Sequence, residues 1–314
     1  MKNNFFAPVA LFVYNRADHF KQTYAALRKC EGAQNTDLFI FSDGAKNEKA
    51  EAGVKETRNA LEEIKNDDAF ASITVFESEK NKGLAASIID GVTKIINDYG
   101  KIIVLEDDCV ASDYLLKFFN GALSFYENDK TIGSVAGYTP KIPFPANFND
   151  DMFLAYRSCS CCWATWKRSW EGVDWEIKNA KELFSSGKFI RDFTLNGTDR
   201  ILRLYRQTKG DGTSWSVRFG AHLTQKGLFT VYPKFSYISN IGCDCSGVHS
   251  KAGDAETMAV DLDKAVANPA FKEIKIDKGI QRSLKKHYSG GAISDIKRTA
   301  AIAMIYIKAN LRKK

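Results

Sequence analysis

Apolar and polar positions alternate in blocks along the first 140 residues of the chain. Residues 9–14 (Val-Ala-Leu-Phe-Val-Tyr) form an unbroken apolar run, the pattern of a strand buried on both faces. A helical period follows over 19–29, with Asp18 placed as its N-cap. A second strand over 38–42 leaves through Asp43 and Gly44. A charged, Ala-rich helix is expected over 48–65 and a third strand over 73–77. Over 84–99, Leu84, Ile88, Ile89, Val92, Ile95 and Ile96 share one helical stripe. Residues 101–105 are a continuous apolar strand, 113–126 a helix and 132–136 a strand.

This β-α-β-α order predicts an α/β fold with a mostly parallel sheet, helices on both faces and right-handed crossovers. Such sheets bind ligands beyond the carboxyl ends of their strands. Three strand exits therefore stand out: Asn15 with Arg16, Asp43 with Gly44, and the triplet Glu106, Asp107 and Asp108. After Pro140 the pattern changes to a long Pro- and Asn-bearing loop and a Trp-rich segment. Helices near 196–207 and 215–226 follow, then strands over 229–232 and 235–241. A charged, poorly patterned stretch spans 254–278, and an amphipathic helix is expected over 294–314. The expected organisation is a domain over 1–250, with halves 1–140 and 141–250, and a helical extension over 251–314.

Composition narrows the classes. Of the 314 residues, 44% are hydrophobic and 26% charged, which excludes disordered, collagenous and disulfide-scaffold proteins. The longest apolar runs, such as 102–105 and 300–307, fall far short of the ~20 residues that span a bilayer. A net charge of +7 is mild, and no basic stripe with interleaved aromatics suggests nucleic acid. Seven cysteines without a regular framework, and no secretory segment, point to reduced thiols in a cytoplasmic setting. Buried apolar thiols are the expectation for them, and their spacing fits no standard zinc finger.

The triplet Glu106-Asp107-Asp108 carries the most chemistry. Three adjacent carboxylates repel one another unless a cation neutralises them. A hard divalent ion takes oxygen ligands and bridges carboxylates to phosphates. A solvated acidic turn is the plainer alternative. Arg16 is suited to a phosphate or a base, and Asp43 to a base N–H or a ribose hydroxyl, although Asp-Gly is also an ordinary turn. Asn81, Lys82 and Gly83, before a helix, offer backbone N–H groups and an ammonium to an anion.

Taken together, residues 10–16 (Ala-Leu-Phe-Val-Tyr-Asn-Arg), 41–44 (Phe-Ser-Asp-Gly), 81–84 (Asn-Lys-Gly-Leu) and 104–109 (Val-Leu-Glu-Asp-Asp-Cys) resemble a GT-A glycosyltransferase. The similarity is to the metal-dependent inverting N-acetylglucosaminyltransferase I type and to bacterial family 2-like sugar transferases. It covers roughly residues 8 to 250 in motif order. It implies that Asp108 holds Mn²⁺ or Mg²⁺, supported by Asp107 and Glu106. Asn15, Arg16, Asp43, Lys82 and Gly83 would seat a nucleotide-sugar donor. The acceptor would be a glycan or lipid-linked glycan hydroxyl, and the transfer would invert.

The second half resembles the same family. Residues 162–170 look like the aromatic segment that shapes the sugar pocket, with Trp163 a candidate sugar contact. The three- and four-residue spacing of Trp163, Trp166 and Trp170 equally fits a buried helical stripe. Residues 214–218 look like the helix start that bears the catalytic base, but Thr213 and Ser214 stand where an acid is expected. Asp211 is the nearest candidate and Asp199 the fallback, while a Gly-Asp-Gly turn is the alternative for Asp211. Residues 240–249 resemble a loop that folds over the donor phosphates, with His249 as a metal or phosphate contact or a structural residue. The basic amphipathic helix at the end of the chain is suited either to the inner face of an anionic membrane or to packing on the domain. Rival functions are a sugar-phosphate nucleotidyltransferase, which would want a Gly-rich loop after the first strand, and a non-catalytic glycan- or nucleotide-binding protein. G-x-G-x-x-G and G-x-x-x-x-G-K-[ST] are both absent from the sequence.

Overall fold

A computed structural model describes residues 6–242 and 260–311. The strands of the first half are β1 (Val9–Val13), β2 (Asp37–Ser42), β3 (Ser72–Glu77), β4 (Lys101–Glu106), β5 (Cys109–Ala111) and β6 (Ile132–Ala136). The helices among them are α1 (Ala17–Leu27), α2 (Glu48–Ile64), α3 (Leu84–Tyr99) and α4 (Leu115–Phe125). Every one of these was expected except β5. Helix α1 begins before Asp18: Arg16 takes the N-cap position, and Asp18 is an exposed first-turn acid.

An eight-stranded mixed sheet runs in the order β3-β2-β1-β4-β8-β6-β9-β7. Its later strands are β7 (Met152–Ala155), β8 (Cys162–Trp166) and β9 (Phe229–Pro233). β7 and β8 run against the other six. β1 and β4, buried along their length, form the spine of the core, as their unbroken apolar runs require. From β1 the chain steps outward to β2 and β3, then returns past β1 to β4. Right-handed crossovers put α1 and α2 on one face, where they pack together, and α3 on the other. Gly91 lets α3 lie close to the sheet, because a Cβ there would come within 2.9 Å of the Phe12 ring. The reversal of direction opens a crevice between the carboxyl ends of β1 and β4.

The region after Pro140 departs most from expectation. Residues 162–166 form strand β8, not a helical stripe. They pair with β4 on one side and β6 on the other, and this pairing overrides the helical spacing of the tryptophans. Trp163 and Trp166 consequently face opposite sides of the sheet. Trp163 stacks on Trp215 at 5.0 Å and on Trp170 at 5.7 Å, while Trp166 donates its indole N–H to the Leu123 carbonyl at 3.1 Å. Trp170 lies in α5 (Lys167–Trp170). Four further helices, α6 (Ala180–Ser185), α7 (Gly187–Thr194), α8 (Asp199–Gln207) and α9 (Trp215–Gln225), build a second apolar cluster around Phe193, Leu204 and Ala221. Short strand β10 (Ile238–Asn240) pairs antiparallel with β5. Helices α10 (Lys278–Ser289) and α11 (Ala292–Leu311) follow, and α11 inserts Ile302 and Ile305 into the second cluster.

Trp163 is 1% exposed and joins two apolar layers. Trp163→Ala is therefore expected to lower unfolding free energy by about 3–5 kcal/mol. Urea denaturation followed by circular dichroism measures this; a loss below about 1 kcal/mol would contradict a core role.

Candidate functional site

Register alone brings the first and third exits together. Phe12 is the parallel partner of Glu106, so the chain leaves β1 and β4 side by side. Three residues past the end of β1, Arg16 turns onto the acidic triplet. Its guanidinium forms a short ion pair with Asp107 Oδ1 and a 3.0 Å one with Asp108 Oδ2. Thr23, two turns further along α1, donates to the Asp107 carbonyl at 2.7 Å and ties helix to turn. Burial works against the Arg16 charge, but the two carboxylates outweigh it and hold the group protonated.

The acids respond unequally. The Glu106 carboxyl is pushed well above the usual range, first by its withdrawal from water and then by the Asp108 and Asp107 charges. Asp107 is also raised by burial, although Arg16 and His19 both pull it down. Of the two acids on Arg16, Asp108 keeps more contact with solvent, 13% of its side chain against 4%.

A second layer of contacts converges on Asp108. Strand β5 starts directly after it, and the β10 partner of Cys109 is Asn240. The Asn240 amide donates to Asp108 Oδ1 at 3.0 Å and accepts from the Gly242 N–H at 3.0 Å. The Ile241 N–H donates to the Asp108 carbonyl at 2.9 Å. Gly242 is required by proximity, since a Cβ there would lie 2.2 Å from Asp108 Oδ2. Cys109 and Cys161 sit against this corner, the Cys109 thiol donating to the Cys161 carbonyl at 3.0 Å. All five described cysteines are free thiols. Cys243, Cys245 and His249 lie outside the described residues.

Asp43 organises the loop that follows β3. Its Oδ1 accepts from the Gly44 and Lys82 N–H groups, both at 2.9 Å. Its Oδ2 accepts from the Gly83 N–H at 2.8 Å and the Asn81 amide at 3.0 Å. A carboxylate has about four lone-pair sites, and four donors fill them. The Lys82 and Gly83 N–H groups thus turn inward to Asp43, whereas the sequence suggested that they would face an anion. Gly83 supplies the φ of +78° that ends the loop and starts α3. The Lys82 ammonium pairs with Asp90 at 3.2 Å on the surface. A cleft of about 210 Å³ opens beside Asp43, with Phe41 and Phe76 as its floor and Ser78, Lys82, Asp90 and Lys94 on its rim. Arg58 of α2 fixes the backbone at its edge by donating to the Ser78 carbonyl at 2.7 Å.

The remaining candidates separate from this edge. Trp163 cannot meet a sugar face, because it is buried against the rings of Trp170, Trp215 and Phe219. Asp199 is held by Arg157 through two hydrogen bonds of 2.8 and 3.0 Å, which keep it ionised against burial. Arg157 in turn stacks on Tyr288 at 3.7 Å. Asp211 is exposed in the turn before α9, its N–H donating to the Arg206 carbonyl. A larger cavity, of about 390 Å³, lies between α8, α9 and the 172–179 loop. Of the segments singled out from the sequence, only 214–218 reaches it, through Arg218; neither Asp199 nor Asp211 lines it.

His19, Arg58 and Asn240 were not singled out as site residues. Asn240 carried a signal, since it opens the Asn-Ile-Gly segment. Arg58 lies on a helix whose charged pattern reads as a solvated face, and only the folding of α2 over β2 brings it to Ser78.

No protein-family model matches the sequence, and no curated protein matches it. Solved structures to which the chain shows similarity include TarS from S. aureus, at 11% identity and a TM-score of 0.42. The match covers 74% of this chain and 36% of that one, so the chain spans about a third of the TarS chain. Another is the mannosyltransferase PcManGT from Pyrobaculum calidifontis in complex with GDP-Man and Mn²⁺, at 10% identity and a TM-score of 0.39. There the coverage is 71% of this chain and 70% of that one. TarS 1–349 in complex with UDP-GlcNAc matches at 10% identity and a TM-score of 0.36, over 59% and 52% of the two chains.

Two measurements test these assignments. Between the usual carboxyl pKa and its raised folded value, Glu106 gives the native state one more proton than the unfolded chain. Stability must then fall as pH rises through that window. Glu106→Gln removes this loss: in chelator-containing buffer its Tm should match wild type near pH 4 and exceed it at pH 8 by about 2–4 °C for each kcal/mol relieved. A constant offset at all pH values would show that Glu106 is not perturbed. Asp199→Ala leaves Arg157 buried without its partner and should cost about 3 kcal/mol in chemical denaturation. A near-neutral result would return Asp199 to the list of candidate bases.

Proposed function

We propose that the protein is a glycosyltransferase that moves a sugar from a nucleotide-diphosphate sugar to a hydroxyl of a glycan or lipid-linked glycan. The observation that carries this reading is the meeting of Arg16, Asp107, Asp108 and Asn240 at the crevice between β1 and β4, where the strand order reverses. The cleft beside Asp43, at the exits of β2 and β3, offers an aromatic floor and a polar rim suited to the nucleoside end of a donor. Asp43 serves by fixing the 81–83 loop that forms its wall.

The donor chemistry of the acidic corner fits a hard divalent cation. Arg16 offsets only one of its carboxylate charges, and the side chains on offer are oxygen donors. Among the described residues no three His, Cys, Asp or Glu side chains form a ready-made cage. Asp108 would hold Mn²⁺ or Mg²⁺, with phosphate oxygens and water as the remaining ligands. Such a cation would stabilise the negative charge of the departing diphosphate. Asn240 and the Gly242 backbone would fix the Asp108 carboxylate, and Arg16 would keep Asp107 and Asp108 together before a ligand arrives. An inverting transfer further needs a carboxylate beside the acceptor hydroxyl, and Asp211 is the unpaired candidate. The engagement of Asp199 with Arg157 favours one second reading, a protein that binds a nucleotide sugar without turning it over.

Release of UDP or GDP from UDP- and GDP-sugar donors, with and without Mn²⁺, distinguishes the two. Wild type should release nucleotide only with the metal. Asp108→Ala should lose about 10²-fold or more in kcat, in line with losing a preorganised charge contact to the leaving group. Full activity in the Asp108→Ala protein would refute the proposal. A metal-dependent rise in Tm with a donor, but no release by wild type, would support the binding-only reading.

A further inference from the structure

Helix α11 (Ala292–Leu311) is 20 residues long, about 30 Å at 1.5 Å per residue. It has two apolar faces. Ile302 and Ile305 point inward and are buried in the second cluster. On the opposite side Ile293, Ile296, Met304, Ile307 and Leu311 recur at three- and four-residue steps, or twice those, along one stripe. They are 74%, 69%, 58%, 53% and 68% exposed. A stripe of five large apolar side chains facing water is costly for a free surface and marks a contact.

The charges say what kind. The one acid of α11, Asp295, accepts from the Thr198 hydroxyl at 2.8 Å and so is engaged with the protein. Arg298 caps α10, donating to the Ser289 carbonyl at 2.9 Å. Lys297 and Lys308 are exposed and flank the stripe on one side. Neighbouring α10 (Lys278–Ser289) has no acid, and its Arg282, Lys285 and Lys286 are exposed. In sequence Arg312, Lys313 and Lys314 follow α11. No helix among the described residues is long and apolar enough to cross a membrane.

From this pairing of an unpartnered apolar stripe with the cations of α10 and α11, whose one acid is engaged with Thr198, we propose that α11 lies flat on an anionic lipid surface. Its Ile and Met side chains enter the headgroup boundary, and Lys297 and Lys308 meet the lipid phosphates. This is the geometry of an interfacial helix, in which burial of the apolar face and attraction to anionic lipid act together. The helix is simultaneously anchored to the protein by Ile302 and Ile305, so it carries the whole domain with it. The inference does not rest on the transfer reading, since lipid binding is measured without a donor.

Flotation of the full chain with vesicles tests it. The protein should rise with vesicles of mixed phosphatidylglycerol and phosphatidylcholine and remain below with phosphatidylcholine alone. The pair Ile296→Asp and Ile307→Asp changes only exposed side chains, so melting should be unchanged while the partition coefficient falls about tenfold or more. The pair Lys297→Glu and Lys308→Glu should give a similar loss, removed by added salt. Failure of wild type to float, or equal flotation with both vesicle types, overturns the proposal. So does a dimer in sedimentation equilibrium that the Ile→Asp pair dissolves, which would show a second copy covering the stripe.

Discussion

The pairing of Arg16 with Asp107 and Asp108 is the contact on which the site depends. Three successive acids at the end of a buried strand are self-repelling, and the low polarity around them magnifies the repulsion. One guanidinium, delivered from the adjacent strand end at the N-cap of α1, makes the arrangement tenable. The parallel register of β1 and β4 sets its reach. Because each partner is partly withdrawn from water, loss of either side costs more than the pair contributes. The corner therefore has to form as a unit, together with the Thr23 and Asn240 contacts that hold its backbone and carboxylate.

The first half of the fold was legible in the sequence because its strands are nearly continuous apolar runs and its helices carry clear stripes. Those signals are local. The second half was read less well, for reasons that are not local. Residues 162–166 carry a helical spacing of tryptophans, and only pairing with β4 and β6 makes them a strand. β5 and β10 are each three residues long and stabilise one another across a wide separation in sequence, so neither has a pattern of its own. α5 and α6 are too short to show a period.

The site divides along the same line. Arg16, Asp43 and the acidic triplet were visible because strand exits in such sheets are where ligands bind. What each side chain does there depends on its neighbours. Asp43 has the residue type and position of a ligand contact, yet the donors of Gly44, Asn81, Lys82 and Gly83 occupy it. Asp199 has the residue type of a base, yet Arg157 holds it. In α11, periodicity found the apolar stripe but could not say which face the protein uses. Ile302 and Ile305 take that role, and Ile293, Ile296, Met304 and Ile307 are left outside.

The four donors on Asp43 have a consequence for the timing of recognition. A loop whose backbone amides were free would settle only around an incoming anion, and part of the association energy would be lost to that ordering. Here the carboxylate has already taken the anion's place, so the loop is set before any guest arrives. A molecule entering the cleft would meet finished walls, and selectivity would fall to the fit of rigid surfaces and to the ammonium groups of Lys82 and Lys94.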